Sequence, residues 1–291
     1  MKSLRTLADK PIIGGVVKKA MSKMASNDAK AISEHFSQYL RPQIASSDEL
    51  KHAVYRLRHE VYCEELHFED IKESYEESDT FDERSVHCFV RHLTSQKLAG
   101  TVRMVECRNA GDKLPIEEFC SHSFEHPELI PTNFPRDSIC EISRLAVPSY
   151  FRKRAIDQFK GAATGAINES IFSETELRCF PYIAICLYMA ATSMALQAGR
   201  INGFVMMEPR LARSLTFVGI HFVQIGKLIE FHGQRAPFYI NARQIRDNLS
   251  PGYIKLLDSV ERELINSGSL HRADTSAETV DTFTNPVLIG I

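Results

Sequence analysis

Five polar groupings in this sequence have the residue types and spacing to do chemistry. Glu141 and Arg144 stand in Glu141-Ile142-Ser143-Arg144, within a stretch that is otherwise largely apolar. A carboxyl partly buried there would have its pKa raised and could take a proton, directly or through one water. The bland alternative is a pairing of Glu141 with Arg144 or Arg103 inside a sheet. Arg58, Arg103, Asp79 and Asp82 form a second set, with the two aspartates three residues apart in Glu77-Ser78-Asp79-Thr80-Phe81-Asp82. Two carboxylates and two arginines can bind the ammonium group of a ligand, or tie a loop down as an ion-pair network that needs no ligand. Arg152-Lys153-Arg154 is the last grouping. At a strand-to-helix turn such cations suit a phosphate or an acidic docking partner, and they equally suit a solvated turn.

Other chemistries find less support. Asp79-x-x-Asp82 has no histidine spaced to complete a metal site, so no metal is expected. His52, His59 and His67 recur at intervals of seven and eight without forming H-E-x-x-H, and they read as surface residues. A cysteine nucleophile would need a partnered histidine and a lowered pKa, whereas Cys140 adjoins Glu141, which would raise it.

Composition sets the frame for these groups. The chain has 291 residues, 44% of them hydrophobic, enough for a sizeable core in one or two domains. Lys plus Arg number 35 against 37 Asp plus Glu, a net charge of -2 that gives no reason to expect a nucleic-acid partner. Seven scattered cysteines without a C-x-x-C pair fit reduced thiols in a cytoplasm. No run approaches the roughly 20 apolar residues of a membrane span, so membrane contact is expected to be peripheral at most. Residues 1–46 mix positive charge with small apolar residues and read as a partly ordered leader. Residues 47–250 read as the main domain, and 251–291 as a C-terminal helix and flexible tail.

The elements that must position these groups follow from periodicity. Ser46 and Glu49 resemble a capping box ahead of a helix predicted over about 47–65, with Ala53, Val54, Leu57 and Val61 at helical spacing. The acidic stretch Glu69 to Glu83 reads as a long loop, too charged for the core. Cys88 to Leu93 and Leu98 to Val105 predict a hairpin, and Ile139 to Val147 a strand ending at Pro148. Between them the proline-containing segment 106–137 reads as a loop with a short helix near Pro115 to Cys120. After a mostly helical run to about Ser173, a helix is predicted from Pro181 to Gly199. A strand follows from Ile201 to Met207, then a helix from Pro209 to Val218 closing at Gly219, and a strand from Phe222 to Ile229. Strands with intervening helices indicate an α/β layered domain.

In order and spacing, the polar groupings resemble the pattern of the acyl-homoserine-lactone synthases. That pattern is R-x-x-V-F, an aromatic ten residues after the Arg, E-x-D-x-x-D, G-x-x-R and E-x-S-R. Arg58 and Tyr62 match the first element, with Tyr for Phe, and Phe68 takes the place usually filled by Trp. Glu77, Asp79 and Asp82 match the third, Gly100 and Arg103 the fourth, and Glu141, Ser143 and Arg144 the last. This resemblance covers about 50–150. Tyr62-Cys63-Glu64-Glu65-Leu66, Leu114-Pro115-Ile116-Glu117, Glu141 to Val147 and Met207-Glu208-Pro209-Arg210 are similar to the N-acyl amino acid synthases and the acyltransferases of PEP-CTERM/exosortase systems, and extend it to about 35–240.

The resemblance implies a GNAT-like α/β fold, with a central mixed, mostly antiparallel sheet splayed at the acyl-donor strand and flanked by helices. It implies an N-acyltransferase with Glu141 as base beside Ser143 and Arg144, and backbone N–H groups of Leu145, Ala146 and Val147 near the oxyanion. Arg152, Lys153 and Arg154 would face the pantetheine phosphate; Arg58, Tyr62, Phe68, Asp79, Asp82 and Arg103 would shape the acceptor side or anchor its loop. No tightly bound cofactor is implied. The co-substrate would be acyl carrier protein or acyl-CoA, and the missing Q/R-x-x-G-x-G/A loop after Arg152 favours the carrier protein. A small amine would be the acceptor. The rival readings are lactone synthesis from S-adenosylmethionine and a non-catalytic acyl-binding module of an exosortase system.

Overall fold

The computed structural model describes residues 36–152 and 182–267. Lys153, Arg154, the helical run to Ser173, and the terminal segments 1–35 and 268–291 lie outside the described residues. An eight-stranded sheet runs through the molecule, with strands β1 Leu40–Ile44, β2 Ser85–His92, β3 Leu98–Glu106, β4 Ile139–Ala146, β5 Asn202–Met207, β6 Val223–Gln224, β7 Ile229–Glu230 and β8 Gln234–Asn241. Its order is β1-β2-β3-β4-β5-β8-β6, with β7 pairing β8. All pairings are antiparallel except β4 with β5.

Helices cover the two faces differently. Helix α1 Asp48–His59 lies over one face and runs into a π-helical turn at Glu60–Glu65. Its cap is Ser47, whose Oγ accepts from the Leu50 N–H at 3.3 Å, rather than Ser46 as the sequence pattern suggests. Asp48 and Glu49 in the first turn and Arg56, Arg58 and His59 in the last complement the helix dipole. The short helix α2 Pro115–Cys120 lies on the same face. After β4 comes one turn, α3 Ser149–Arg152.

Helix α4 Ile183–Gln197 is apolar almost all round and is buried in the opposite face, where Ile183, Cys186, Leu187, Met189, Ala190 and Met194 are fully enclosed. Helices α6 Ala242–Asn248 and α7 Pro251–Ser267 close this core, Tyr253, Leu256, Leu257 and Leu264 packing into the cluster that holds Leu40 and Ile44. The C-terminal helix and β1 are thus built into the same core as the segment 47–250. Helix α5 Pro209–Thr216 follows β5.

Two sequence expectations change. The strand expected over Phe222 to Ile229 is two short pieces, β6 and β7, separated where Gly226 passes so close to residue 123 that a Cβ would sit 2.1 Å from the Ser123 carbonyl oxygen. The long strand of this region is β8, which periodicity conceals because it carries Pro237 opposite Met206.

Candidate active site

The site is organised by a bulge in β4. Thr101 pairs with Ala146 and Arg103 with Ser143, so Arg144 and Leu145 together oppose the single residue Val102. Arg144 takes up the irregularity with φ at 51°, a left-handed conformation that a non-glycine residue adopts at a cost of roughly 1–2 kcal/mol. The tight packing behind the bulge explains Gly100: a Cβ there would come within 3.0 Å of both the Ala146 carbonyl oxygen and Leu187 Cδ1.

The bulge sends Arg144 to the face covered by α1, where the predicted acidic and basic residues meet. Arg58 is fully buried and donates from Nε to Glu77 at 2.5 Å and from Nη1 to Asp82 at 2.8 Å. Arg103, also buried, donates from Nη1 to Asp79 at 2.6 Å and Asp82 at 2.8 Å, and from Nε to Ser143 Oγ at 3.1 Å. Arg144 reaches Glu77 at 3.1 Å, Glu69 at 3.3 Å and Asp79 at 3.4 Å. Asp79 also caps the 3-10 turn Thr80–Arg84, accepting from the Phe81 N–H at 2.9 Å.

The acidic stretch therefore contributes Glu77 and Asp82 to the interior, against the expectation that it is too charged for the core. Three arginines surround them, which is the condition for burying carboxylates. Burial by itself would raise the Asp82 pKa and lower that of Arg58. The attraction between Asp82 and its two arginines, and between Arg58 and its two carboxylates, prevails and holds both groups charged. Glu77 is likewise held below its ordinary value, Arg58 overcoming burial.

Glu141 belongs to the same face but not to the network. It is 4% exposed, and its Oε2 accepts from the Ile116 N–H of α2 at 2.6 Å. Among the described residues no arginine pairs with it within 4 Å, so the expected alternative of a Glu141 salt bridge to Arg103 or Arg144 is not formed. Burial raises its pKa from 4.5 to about 7, the Ile116 hydrogen bond and the more distant arginines only moderating the rise. A carboxyl so tuned is half ionised near neutrality, the condition for exchanging protons during turnover.

Glu141 also sits where the sheet opens. β4 and β5 pair only through Ile139 with Asn202, Cys140 with Gly203 and Glu141 with Phe204. Beyond that vertex β4 continues to Ala146 and β5 to Met207 without pairing. A small apolar cleft lies against this opening on the α4 side, lined by Cys140, Ile142, Gly203, Val205, Tyr188 and Ala191 among others. Glu141 and Phe204 point to one face, Cys140 and Ile142 to the other. The base candidate and the cleft thus flank the same vertex from opposite sides.

The remaining predicted residues take distinct places. Tyr62 donates from its hydroxyl to the Leu145 carbonyl oxygen at 2.9 Å, and its ring lies 6.5 Å from that of Phe68. Leu145, Ala146 and Val147 form the end of β4 and the residue after it. Arg152 is exposed and ion-paired with Glu65, whose carboxylate also accepts from the Ser149 N–H at 2.8 Å and 3.1 Å. Of the three cations expected at the pantetheine phosphate, Arg152 alone is among the described residues.

His59 corrects the surface reading. It is 1% exposed, accepting at Nε2 from the Lys72 N–H at 3.2 Å, while His52 and His67 are exposed. The six described cysteines are free and buried. Burial is the main reason the Cys140 thiol is pushed up, ahead of Glu106 and Glu141. Sequence reasoning missed Glu69, His232, Arg235 and Tyr188; only the Leu114-Pro115-Ile116-Glu117 motif pointed toward the donor that meets Glu141. Among the described residues no three His, Cys, Asp or Glu side chains are grouped to hold a metal ion, and no helix is long and apolar enough to cross a membrane.

The fold is GNAT-like, and residues 57–160, about a third of the chain, match the family model described as an acetyltransferase (GNAT) domain. Among solved structures, TofI in a ternary complex with an inhibitor and MTA superposes with a TM-score of 0.51 at 14% identity, over 77% of this chain and 99% of TofI. FeeM, an N-acyl amino acid synthase from uncultured soil microbes, gives 0.48 at 14% identity over 74% of this chain and 97% of its own. BjaI, a CoA-dependent acyl-homoserine lactone synthase solved with SAM and isopentyl-CoA, gives 0.48 at 16% identity over 77% and 98%. No curated protein matches the sequence.

Proposed function

We propose that this protein is a cytoplasmic N-acyltransferase that moves a fatty acyl group from a carrier thioester to the amine of an amino acid or a related small molecule. The observation that carries the reading is Glu141: a buried carboxyl tuned to about 7, at the vertex of the β4–β5 opening, with an apolar cleft on the far side. The cleft suits the acyl chain, since burying each CH2 contributes about 0.8 kcal/mol. The thioester carbonyl would then lie at the opening, where backbone N–H groups of Leu145 to Val147 face the developing oxyanion. The neutral amine attacks the carbonyl carbon, the carbon–sulfur bond breaks, the thiolate leaves, and Glu141 takes the amine's proton directly or through one water.

Ser143 and Arg144 act beside Glu141 by position. Ser143 receives the Arg103 hydrogen bond, and Arg144 spans the carboxylates that shape the acceptor side. The Arg58, Arg103, Asp79 and Asp82 set, internally paired, anchors that side. Acyl carrier protein is the proposed donor. It is supported by the absence from the sequence of the glycine-rich pyrophosphate motif after Arg152 and by the pairing of Arg152 with Glu65.

The test is incubation of the purified protein with acylated carrier protein or acyl-CoA and a panel of amines, with mass-spectrometric detection of N-acyl product. S-adenosylmethionine belongs in the panel, because the motif order is shared with lactone synthases. Product from the carrier-protein arm, absent with Glu141→Gln, is the expected result. Donor binding without product in any arm would mean an acyl-binding module instead.

A further inference from the structure

Leu114-Pro115-Ile116-Glu117 opens helix α2, and its Ile116 N–H is the one donor that meets the Glu141 carboxyl among the described residues. A first-turn amide has no partner within its own helix, Pro115 ahead of it carries no N–H, and Leu114 has no side-chain acceptor to offer. Glu141 Oε2, at 2.6 Å, is what satisfies Ile116.

Glu117, the next residue, is held from the other side. Its Oε2 accepts from the Leu114 N–H at 2.8 Å, closing the first turn of α2. Arg136 grips both of its oxygens, donating from Nη1 to Oε1 at 2.9 Å and from Nη2 to Oε2 at 2.5 Å. A bidentate pair of this kind fixes orientation as well as distance. Arg136 stands in the 3-10 turn Arg136–Ser138 that leads directly into β4. It is anchored in turn, since Nη2 also reaches the Asp112 carbonyl oxygen and its own carbonyl accepts from Arg200 Nη1 at 2.9 Å.

These links close a ring. Ile116 is joined to Glu117 through the chain, Glu117 to Arg136 by the ion pair, Arg136 to Glu141 along the start of β4, and Glu141 back to Ile116 by the hydrogen bond. Without the ion pair, α2 is free to shift against β4 and loosen the contact that orients the carboxyl. Oε2 is taken by that contact, whereas Oε1 accepts from no donor among the described residues and keeps access to solvent. Oε1 is therefore the oxygen left to receive a proton. We propose that Glu117 and Arg136 are positioning residues of the transfer reaction, their ion pair setting the Ile116 N–H against Glu141 Oε2 so that Oε1 faces the acceptor amine. This rests on the reading of Glu141 as the base, and neither Glu117 nor Arg136 touches the reacting atoms.

The Ile116 hydrogen bond favours the ionised carboxyl and offsets part of the rise that burial imposes, so loosening it moves the titration of Glu141 further up from about 7. The experiment follows that titration by carboxyl-carbon NMR of the full chain with isotope-labelled glutamate, the signal being assigned by its absence in Glu141→Gln, in parallel with the pH profile of kcat/KM. Arg136→Met removes the pair, and Arg136→Lys keeps a cation without the fork. Glu117→Gln leaves one oxygen for donors that use two, with the Arg136 contact to Asp112 in place. Arg136→Met should raise the Glu141 midpoint by about 1 unit or more, with the other two variants in between. Relative to the native chain at the same pH, its kcat should fall roughly fivefold at pH 7 and return to within about twofold at pH 9, with donor and acceptor KM unchanged within about twofold. A midpoint unmoved in the folded variants, or a loss of kcat equal at both pH values, would overturn the assignment. Should Arg136→Met fail to fold, Arg136→Lys and Glu117→Gln carry the same test. The NMR midpoint needs no turnover, so a shifted midpoint in a chain that yields no N-acyl product keeps the clamp on Glu141 and removes the transfer reaction.

Discussion

On the face of the sheet covered by α1, the charges buried beneath the helix are matched by partners from distant parts of the chain: Arg58 from the helix, Arg103 from β3, Arg144 from the bulge, Glu77 and Asp82 from the acidic stretch. On the α4 face the buried residues are almost wholly apolar, and they leave a cleft unfilled beside the β4–β5 opening. The first face is rigid by pairing: a buried network of this kind holds geometry and tolerates no missing member. The second is held by packing, which accepts changes of shape at modest cost. In the proposed reaction the two halves divide the same way, with the polar face holding the base and the acceptor and the apolar face taking a chain of methylenes. Glu141 lies on the polar face yet outside its pairing, which is why it alone among these carboxylates titrates near neutrality.

The sharpest way to break this contrast is to remove the base. Glu141→Gln should lower kcat by about 10²–10⁴-fold while the protein stays folded. It should also become more stable above neutral pH. The folded pKa of Glu141 is raised, so its contribution is fully present below 4.5 and is lost as pH rises through about 7. Removing the charge should recover on the order of 3 kcal/mol at pH 8, read by denaturant unfolding. In the native enzyme, kcat/KM should rise with pH to a midpoint near 7 for the base. A pH profile flat from 6 to 8 would argue against Glu141 as proton acceptor.

Asp82→Ala attacks the network instead and should cost about 3–5 kcal/mol of stability, because Arg58 and Arg103 would be left buried and short of a partner. Chemical denaturation measures this directly. An effect below about 1 kcal/mol would place Asp82 among exposed ion pairs and not in a core.

How far these two faces could be seen in the sequence differs in the same way. Apolar periodicity exposed α4, the hairpin of β2 and β3, and the strand β4, because a helix or strand packed on a core has to present its apolar residues at a fixed period. The ordered motifs also marked nearly every member of the network. Their burial was not legible: Glu77 and Asp82 sit in a stretch whose charge reads as solvated, and only partners far away in sequence make them interior. β8 was hidden by Pro237 and β1 by its brevity, with Pro42 in an edge strand.

On the apolar face, Ala191→Leu should fill part of the cleft, costing about 1–3 kcal/mol at most and shifting product toward shorter acyl chains by mass spectrometry. The smallest effect belongs to the surface. Arg152 is exposed, and removing its pairing with Glu65 in Arg152→Ala should change stability by no more than about 1 kcal/mol, while carrier-protein KM reports whether that turn is used in docking.

The bulge at Arg144 has one consequence of a different kind. Alternation along a strand works as a reading frame, sending odd and even residues to opposite sides, and β4 contains a frameshift: Ser143 and Arg144 are both delivered to the polar side before the alternation resumes at Leu145 and Ala146. Deleting a single residue there would not trim the strand but rewrite it, turning a guanidinium toward the apolar cleft. Length in this strand is therefore as constrained as composition, and variation among chains of this architecture should accumulate as substitutions in β4 and as insertions only in the loops on either side.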